Sequence, residues 1–487
     1  MSFIEQCEQE QLHLSGLIQP HGALIIVNSS GEVTHLSDNY DAFNLFADEV
    51  RVGQLLPPEI HALLDLIPKE TGKHHPSQIA AECGDVFYVV LSRTDEAFAL
   101  EFYPGLEPST DSLPQFDLPS TFNDLEELGY YREQLLSWIQ KLTGHERVMY
   151  YQFMDNGDGL VTSEVCSDSS LGTYLDLRFP ASDVPQIARD LYVKNLWREI
   201  PDAQAKPVSL LGKGGRPDLS YVDLRSVSPV HQIYMKNMGV GSTVSFPVIK
   251  NEKLDALISC HSSSPKSIPR ENLYEVSAMI SRFNFLLREL DTRKRLELID
   301  EFNFKTQRLR NLLDTTSSME ESWDLLAGII KSEFEVDTVV LCSDQFTYIY
   351  GNELNHEFIS SLDDWFIHNS DELVFYTDNI SGEISNLPLS EVAGFTALRF
   401  RSGGNNSQLI RLYLTRCEFL YEVQWGGNPN KPVENHEGNI KISPRQSFAK
   451  WIEKRMGYCR PWSSHTNLEL HRLRGLLESS KMFEADI

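Results

Sequence analysis

The sequence predicts an α+β protein of three domains, each a mainly antiparallel sheet with helices, joined by one long connecting helix. Three observations carry that expectation. Short apolar runs separated by turn residues recur in three stretches of the chain, the pattern of hairpins with small helices. A Pro-, Ser- and Asp-rich segment, GLEPSTDSLPQFDLPST at 105–121, interrupts them as linkers do. Between 270 and 313 apolar residues fall at every third or fourth position, and a helix of about 40 residues is about 60 Å long.

In the first stretch GALIIV, DVFYVVLS and AFALEFYP read as strands, and the linker places a boundary near residue 115, giving a domain over 1–115. A second domain over 116–295 opens with the helical DLEELGYYREQLLSWIQKLTG. The strands RVMYYQFM and GLVTSEV follow, then a polar, loop-rich middle, then STVSFPVIK and KLDALISCHS. On the long helix Leu273, Val276, Ile280, Phe283, Leu287 and Leu290 form one stripe that continues through Leu296, Ile299 and Phe302. A helix of this length outgrows one domain, so it is expected to connect domains and to offer its stripe to another copy in a homodimer. Two helices broken near Asp291 and Thr292 are the alternative. The third domain, 296–487, has strands at DTVVLCS, FTYIYG, ALRFR and LIRLYLTR. Its segment of about 420–455, YEVQWGGNPNKPVENHEGNIKISPRQSFAKWIE, is too long for a compact loop and reads as a protruding arm. The helical NLELHRLRGLLESSKMF near the end leads to the expectation that something follows it.

A net charge of −27 works against binding nucleic acid or an anionic membrane. The start, MSFIEQCEQEQ, has neither a basic nor an apolar leader region, and no apolar run approaches the roughly 18 residues that span a bilayer; a cytoplasmic location is expected. Seven scattered cysteines without a CxxC pair suggest neither a disulfide framework nor a metal site. Cys7 stands apart because it lies in a polar tail with little to pack against. No phosphate loop, dinucleotide fingerprint, HExxH or GxSxG is present, so no enzyme is expected within the chain.

Chemistry concentrates instead in the middle domain, in DLRFPASDVPQIARDLYVKNLWREIPD, DLSYVDLRSVSPVHQIYMKNMGVGSTVSF and LISCHS. Together they offer cations (Arg198, Arg225), hydroxyls (Tyr192, Thr243, Ser245), imidazoles (His231, His261), an acid (Asp183) and large rings. That inventory suits a large, flat, partly apolar ligand bearing carboxylates.

PASDVP, LRSVSPVHQIYMKNMGV and SCH, in this order and spacing, resemble the bilin-binding GAF domain of phytochromes. CEQEQLHLSGLIQPHGALIIV resembles the tail and first strand of the preceding PAS domain, and WGGNPNKP with SPRQSFAKW resembles the tongue of the PHY domain. The resemblance covers nearly the whole chain and implies a bacteriophytochrome PAS-GAF-PHY photosensory module. It implies a red/far-red photoreceptor in sensory signal transduction, with any effector, a histidine kinase or diguanylate cyclase, outside this chain.

By that resemblance, Asp183 offers its carbonyl to the pyrrole N–H groups and His231 sits beside the same nitrogens. Arg198, Arg225, Tyr192, Thr243 and Ser245 match the positions that hold the propionates. His261 matches the histidine at the rotating ring's carbonyl, and Tyr151, Phe179 and Tyr234 match the aromatics lining its cavity. Relatives using other bilins carry their reactive cysteine just before the residue matching His231. Here that residue is Val230, so attachment is expected at Cys7 and the chromophore is expected to be biliverdin IXα. The family threads its tail through a figure-of-eight knot, an exception to the general absence of knots, and Ile18 and Gln19 would lie in the crossing. In the tongue Arg445, Ser447 and Trp425 are the expected signalling residues, with Arg445 paired to Asp183 in one state and released in the other; a static lid is the alternative. Ser262 and Val184 depart from the usual pattern without altering the donor set. A GAF-type sensor of a small molecule, without photochemistry, is the alternative function, although the NKFDE signature of cyclic-nucleotide GAF domains is absent.

Overall fold

The computed structural model describes residues 11–43, 45, 49–65, 70–80, 86–94, 97–105, 115–168, 171–315, 319–385, 387–388, 390–402, 408–429, 435–436, 439–440, 447–463, 465–480 and 483. Cys7 and Arg445, both singled out in the sequence, lie outside the described residues. The chain forms two compact units, one of residues 1–291 and 424–451, the other of 292–423 and 452–487.

In the first unit Ala23–Asn28 lies between Val33–Ser37 and Ala97–Pro104, and the sheet continues through Val86–Arg93 to Gly72–Ala80, all antiparallel. Successive side chains of a strand face opposite sides. Ala23, Ile25 and Val27 enter one apolar cluster with Tyr40 and Phe102, whereas Leu24 and Ile26 enter another with Leu219, Val222 and Leu224. Both faces of GALIIV are therefore covered, which is why the run is apolar without alternation.

The second cover comes from far along the chain. Val208–Gly212, within the polar stretch expected to be loop, joins this sheet beside Val33–Ser37 and pairs on its other side with Leu17–Ile18. The amide of Leu210 donates to the Gly16 carbonyl (3.1 Å), that of Leu219 to His13 (2.8 Å) and that of Ser226 to Leu17 (3.0 Å), while the Gln19 amide donates to Leu224 (2.7 Å). Residues 13–19 thus lie between the two limbs of the 208–226 excursion, bonded to both, which is the crossing expected at Ile18 and Gln19. Ile18 is fully buried, and the buried Gln19 donates from Nε2 to the carbonyls of Glu199 (3.0 Å) and Asp223 (3.4 Å).

A second sheet runs Arg198–Ile200, Ser242–Lys250, Lys253–Ser262, Arg147–Phe153, Gly159–Cys166 and Arg178–Phe179 in spatial order. The helix Leu125–Thr143 covers one face. Asp124 caps its start by accepting from the Glu127 amide (2.8 Å), and Gly144 ends it in the left-handed conformation (φ 66°). The long helix is one continuous element, Arg270–Thr315, with no break at Asp291 or Thr292. Leu273, Val276, Ile280, Phe283, Leu287 and Leu290 are all buried in the core beneath this second sheet, so that half of the stripe serves the chain's own packing rather than another copy. Leu296, by contrast, is exposed.

The second unit is a five-stranded antiparallel sheet in the order Thr347–Gly351, Thr338–Cys342, Leu409–Cys417, Val392–Arg401, Val374–Thr377. Helices Met319–Glu333 and Thr466–Glu478 contribute to the cluster on one face and His356–Asn369 to that on the other. Among the described residues no helix is long and apolar enough to cross a membrane.

Gly22 stands where the first sheet meets the crossing, and a Cβ there would lie 2.7 Å from the Phe102 carbonyl oxygen and 2.9 Å from Leu224 Cδ2. Gly22→Ala is expected to lower stability by about 1–3 kcal/mol through overpacking, read as a lower urea midpoint with an unchanged slope; an unaltered midpoint would show that the crossing yields freely.

Candidate functional site

Strand alternation and register build one wall of a cavity in the second sheet. Arg198 lies opposite Ser245, Ser245 opposite Ser259 and Ser259 opposite Met149, while the neighbouring row sets Ile200 against Thr243 and Thr243 against His261. All of these side chains line a cavity of about 240 Å3. The opposite wall comes from the turn Ala181–Asp183, the helix Gln186–Lys194 with Tyr192, and the helix Pro229–Asn237. On that last helix His231 and Tyr234, three residues apart on one face, stack with centroids 5.9 Å apart and planes 12° from parallel. Tyr234 donates its hydroxyl to Asp183 Oδ2 (3.0 Å).

Asp183, Tyr192, Arg198, Arg225, His231, Tyr234, Thr243, Ser245, His261, Tyr151 and Phe179, separated in sequence by up to 110 positions (151 to 261), all face this one space. Tyr151 and Phe179 form its aromatic end with centroids 5.8 Å apart. Tyr151 can lie there because its ring occupies the place of a Cβ at Gly159, 1.9 Å from Cζ.

Arg198 is held without any carboxylate. Its Nη1 donates to the Asp223 carbonyl (2.6 Å) and its Nη2 to those of Arg225 (2.5 Å) and Ser226 (3.1 Å). Arg225 donates to the Leu219 carbonyl (3.3 Å), and neither arginine has an ion-pair partner among the described residues. Burial, then the neighbouring Arg198, pushes Arg225 down to about 9, and burial lowers Arg198. A half-buried and a buried guanidinium, Arg198 and Arg225, short of negative charge form a site for an anionic ligand.

His231 lines the cavity with part of its ring open to it, and the surrounding protein, followed by the Arg198 charge, lowers its imidazole to about 4. His261 is pushed to about 3 by burial, Arg147 and His145; Ser259 Oγ lies 3.1 Å from its Nε2. Among the described residues the buried Nδ1 of His261 and the buried Oγ1 of Thr243 have no hydrogen-bond partner. Polar atoms so placed call for a partner carried by a ligand or water.

In the arm Trp425 is buried and pairs in parallel with Arg178, next to Phe179, whereas Ser447 is exposed. Phe448 is buried edge-on against Tyr234, with centroids 5.0 Å apart. Phe448, Ser259, Tyr174 and Leu12, which also bound this space or its cluster, escaped the sequence reading. The PRQSF motif carries a signal for Phe448, three positions after the expected Arg445. No described cysteine lines the cavity, whereas Val230 and Leu12 do.

A family model for the PAS fold matches residues 7–105 and one for the phytochrome region matches residues 306–482. Cyanobacterial phytochrome B of Nostoc sp. is 30% identical over an alignment covering 99% of this chain and 67% of its own length. A bacteriophytochrome of Pseudomonas aeruginosa is 27% identical, covering 94% of this chain and 64% of its own. Among solved structures, a bacteriophytochrome of R. palustris superposes with a TM-score of 0.78 at 25% identity, over 97% of this chain and 98% of that one. The photosensory core module of a Stigmatella aurantiaca phytochrome gives 0.80 at 26% identity, over 97% of each. The chain spans about two thirds of the length of these curated relatives.

His145, buried just ahead of the strand Arg147–Phe153, is pushed down to about 4 by burial and by Lys266. It stays neutral in the folded chain while the unfolded chain takes up its proton near 6.5, so stability contributed by neutral His145 is lost as pH falls from about 6.5 towards 4. Between pH 7 and 5 the urea midpoint is expected to drop further in the wild type than in His145→Gln; equal drops would contradict this.

Proposed function

The chain belongs to the phytochrome family, and we propose that it is a red/far-red light photoreceptor holding biliverdin IXα through Cys7. The observation that carries this reading is the cavity wall on which Arg198 and Arg225, free of carboxylate partners, stand beside Tyr192, Thr243 and Ser245, with His261 and an aromatic end beyond. Attachment at Cys7 is what the family resemblance implies, and reach agrees with it. Val230, not a thiol, precedes His231, and Leu12 lines the cavity, so the five residues back to Cys7 give a tether of at most about 18 Å.

In this reading Arg198 and Arg225 grip two carboxylates, with Tyr192, Thr243 and Ser245 supplying hydroxyls. Asp183 and His231 accept from and steady the nitrogens at the centre of the ligand, and Thr243 and His261 find the partners they lack. Tyr151, Phe179 and Tyr234 restrain the last ring between flat walls. The bilin supplies light absorption and a double bond whose isomerisation turns that ring. Arg445, Ser447 and Trp425 relay the turn: Arg445 pairs with Asp183 in one state and releases it in the other, and the Gly- and Asn-rich arm refolds. Domain limits at 115 and 295, a homodimer, a cytoplasmic location and an output effector outside this chain belong to the same proposal.

The test is the absorption of the full chain mixed with biliverdin, read in darkness, after red and after far-red light. A change reversed by the second colour is expected. Binding without any light-driven change would favour the regulatory sensor instead. Cys7→Ser is expected to keep non-covalent absorbance but lose the zinc-fluorescent band on a denaturing gel; a surviving band would place the attachment elsewhere.

A further inference from the structure

Behind the two arginines lies a buried set of charges contributed by the first sheet, the crossing and the long helix. Asp223 pairs with Lys73 of strand Gly72–Ala80 and with Arg270 (3.5 Å), which is also 3.9 Å from Glu199. The Arg270 guanidinium lies over the Tyr103 ring at 3.4 Å. Glu101, on strand Ala97–Pro104, has no exposed surface; its Oε2 accepts from the Tyr103 hydroxyl (2.6 Å) and from the Leu224 amide (2.8 Å). Through Leu224 it grips the turn whose carbonyls, Asp223 and Arg225, hold Arg198. Its Oε1 has no hydrogen-bond partner and no cation lies within ion-pair distance of it among the described residues.

With every group in its charged form there are four cations, Lys73, Arg198, Arg225 and Arg270, against three acids, Glu101, Glu199 and Asp223, a surplus of one. A ligand with two carboxylates on Arg198 and Arg225 turns that local surplus into a deficit of one, the charge on the ligand's nitrogens being met separately by Asp183, which is outside this count. Uncompensated charge in a desolvated site is costly and is relieved by protonation. Of the three acids, Glu101 alone has no cation within ion-pair distance among the described residues. From this geometry we infer that seating a dicarboxylate ligand on Arg198 and Arg225 is accompanied by uptake of one solvent proton at Glu101, some way behind the cavity wall. This rests on the reading of the cavity given above.

The direction of Glu101's own titration agrees. Burial first, then the Asp223 carboxylate, raises it above the ordinary range, while Lys73, the Tyr103 hydroxyl and the Leu224 amide oppose them. Arg198, Arg225, Arg270, the ring hydroxyl of Tyr274 and Tyr103 are the other groups that feel its charge. His21, packed near Tyr103 with ring centroids 5.8 Å apart, is pushed by burial to about 3 and stays neutral. Two more negative charges at the arginines move Glu101 further in the same direction, so the proton enters as the ligand does.

The measurement is the proton count on mixing the full chain with biliverdin in weakly buffered solution at pH 7.5 or so, followed with an indicator dye. Any proton taken up by the nitrogens of the ligand would count equally in both chains, so the quantity read is the difference between wild type and Glu101→Gln. Close to one proton more in the wild type is expected; equal counts with binding intact overturn the inference while leaving the function untouched. Absence of any binding overturns the function and this inference with it. Should Glu101→Gln not fold, the wild type with 13C-labelled glutamate answers by infrared difference spectroscopy. A new, isotope-shifted band of an un-ionised glutamic acid on binding supports the proposal, and its absence refutes it.

Discussion

The guanidinium of Arg198, bound to the carbonyls of Asp223, Arg225 and Ser226, ties the protein's parts to one another. Its strand is the edge of the second sheet. The carbonyls belong to the returning limb of the 208–226 excursion, and that limb is fixed from behind by Glu101 of the first sheet and by the tail through Leu17 and Gln19. A carbonyl satisfies a guanidinium's hydrogen-bonding without neutralising its charge, so the arginine is positioned and remains hungry for an anion. The same constraint explains why the tail must cross here: Leu219, Val222 and Leu224 cover the second face of GALIIV only if the excursion wraps around residues 13–19.

Electrostatics and packing divide the labour within the cavity. One end is cationic and hydroxyl-rich. The other is made of rings, with Tyr151 against Phe179, Tyr234 against Phe448, and Gly159 leaving space for the Tyr151 ring. The three histidines at or behind the wall are all held below their ordinary range, by desolvation in the surrounding protein and by the neighbouring cations Lys266, Arg198 and Arg147. A neutral imidazole both donates and accepts, which is what a group beside a protonated nitrogen or a ring carbonyl requires.

Much of this was legible beforehand. The helix Leu125–Thr143 announces itself by Asp124 and Gly144, and the strands around Tyr151, Thr243 and His261 by alternation and turns. The polar cavity residues could be gathered from their concentration in three segments, and Tyr151, Phe179 and Tyr234 only through motif resemblance, since local periodicity carries no information about register between distant strands. What escaped was non-local in origin. Val208–Gly212 is short, and nothing in VSLLG reveals that its partners lie about 175 positions earlier. The stripe on the long helix showed correctly that one face is buried, but a stripe does not say what buries it; the chain's own sheet took Leu273 to Leu290. Glu101 was read as one more residue of an apolar strand, because its role depends on a turn folded against it from the other sheet.

The central claim is that Arg198 and Arg225 hold the two carboxylates of a bilin. It is tested most directly by comparing the affinity of the Cys7→Ser chain for biliverdin and for its dimethyl ester, which keeps the tetrapyrrole and removes both negative charges. Because each charge-assisted pair contributes more than a neutral contact, the ester is expected to bind at least about tenfold more weakly, about 1.4 kcal/mol. Equal affinity for the two would contradict the account.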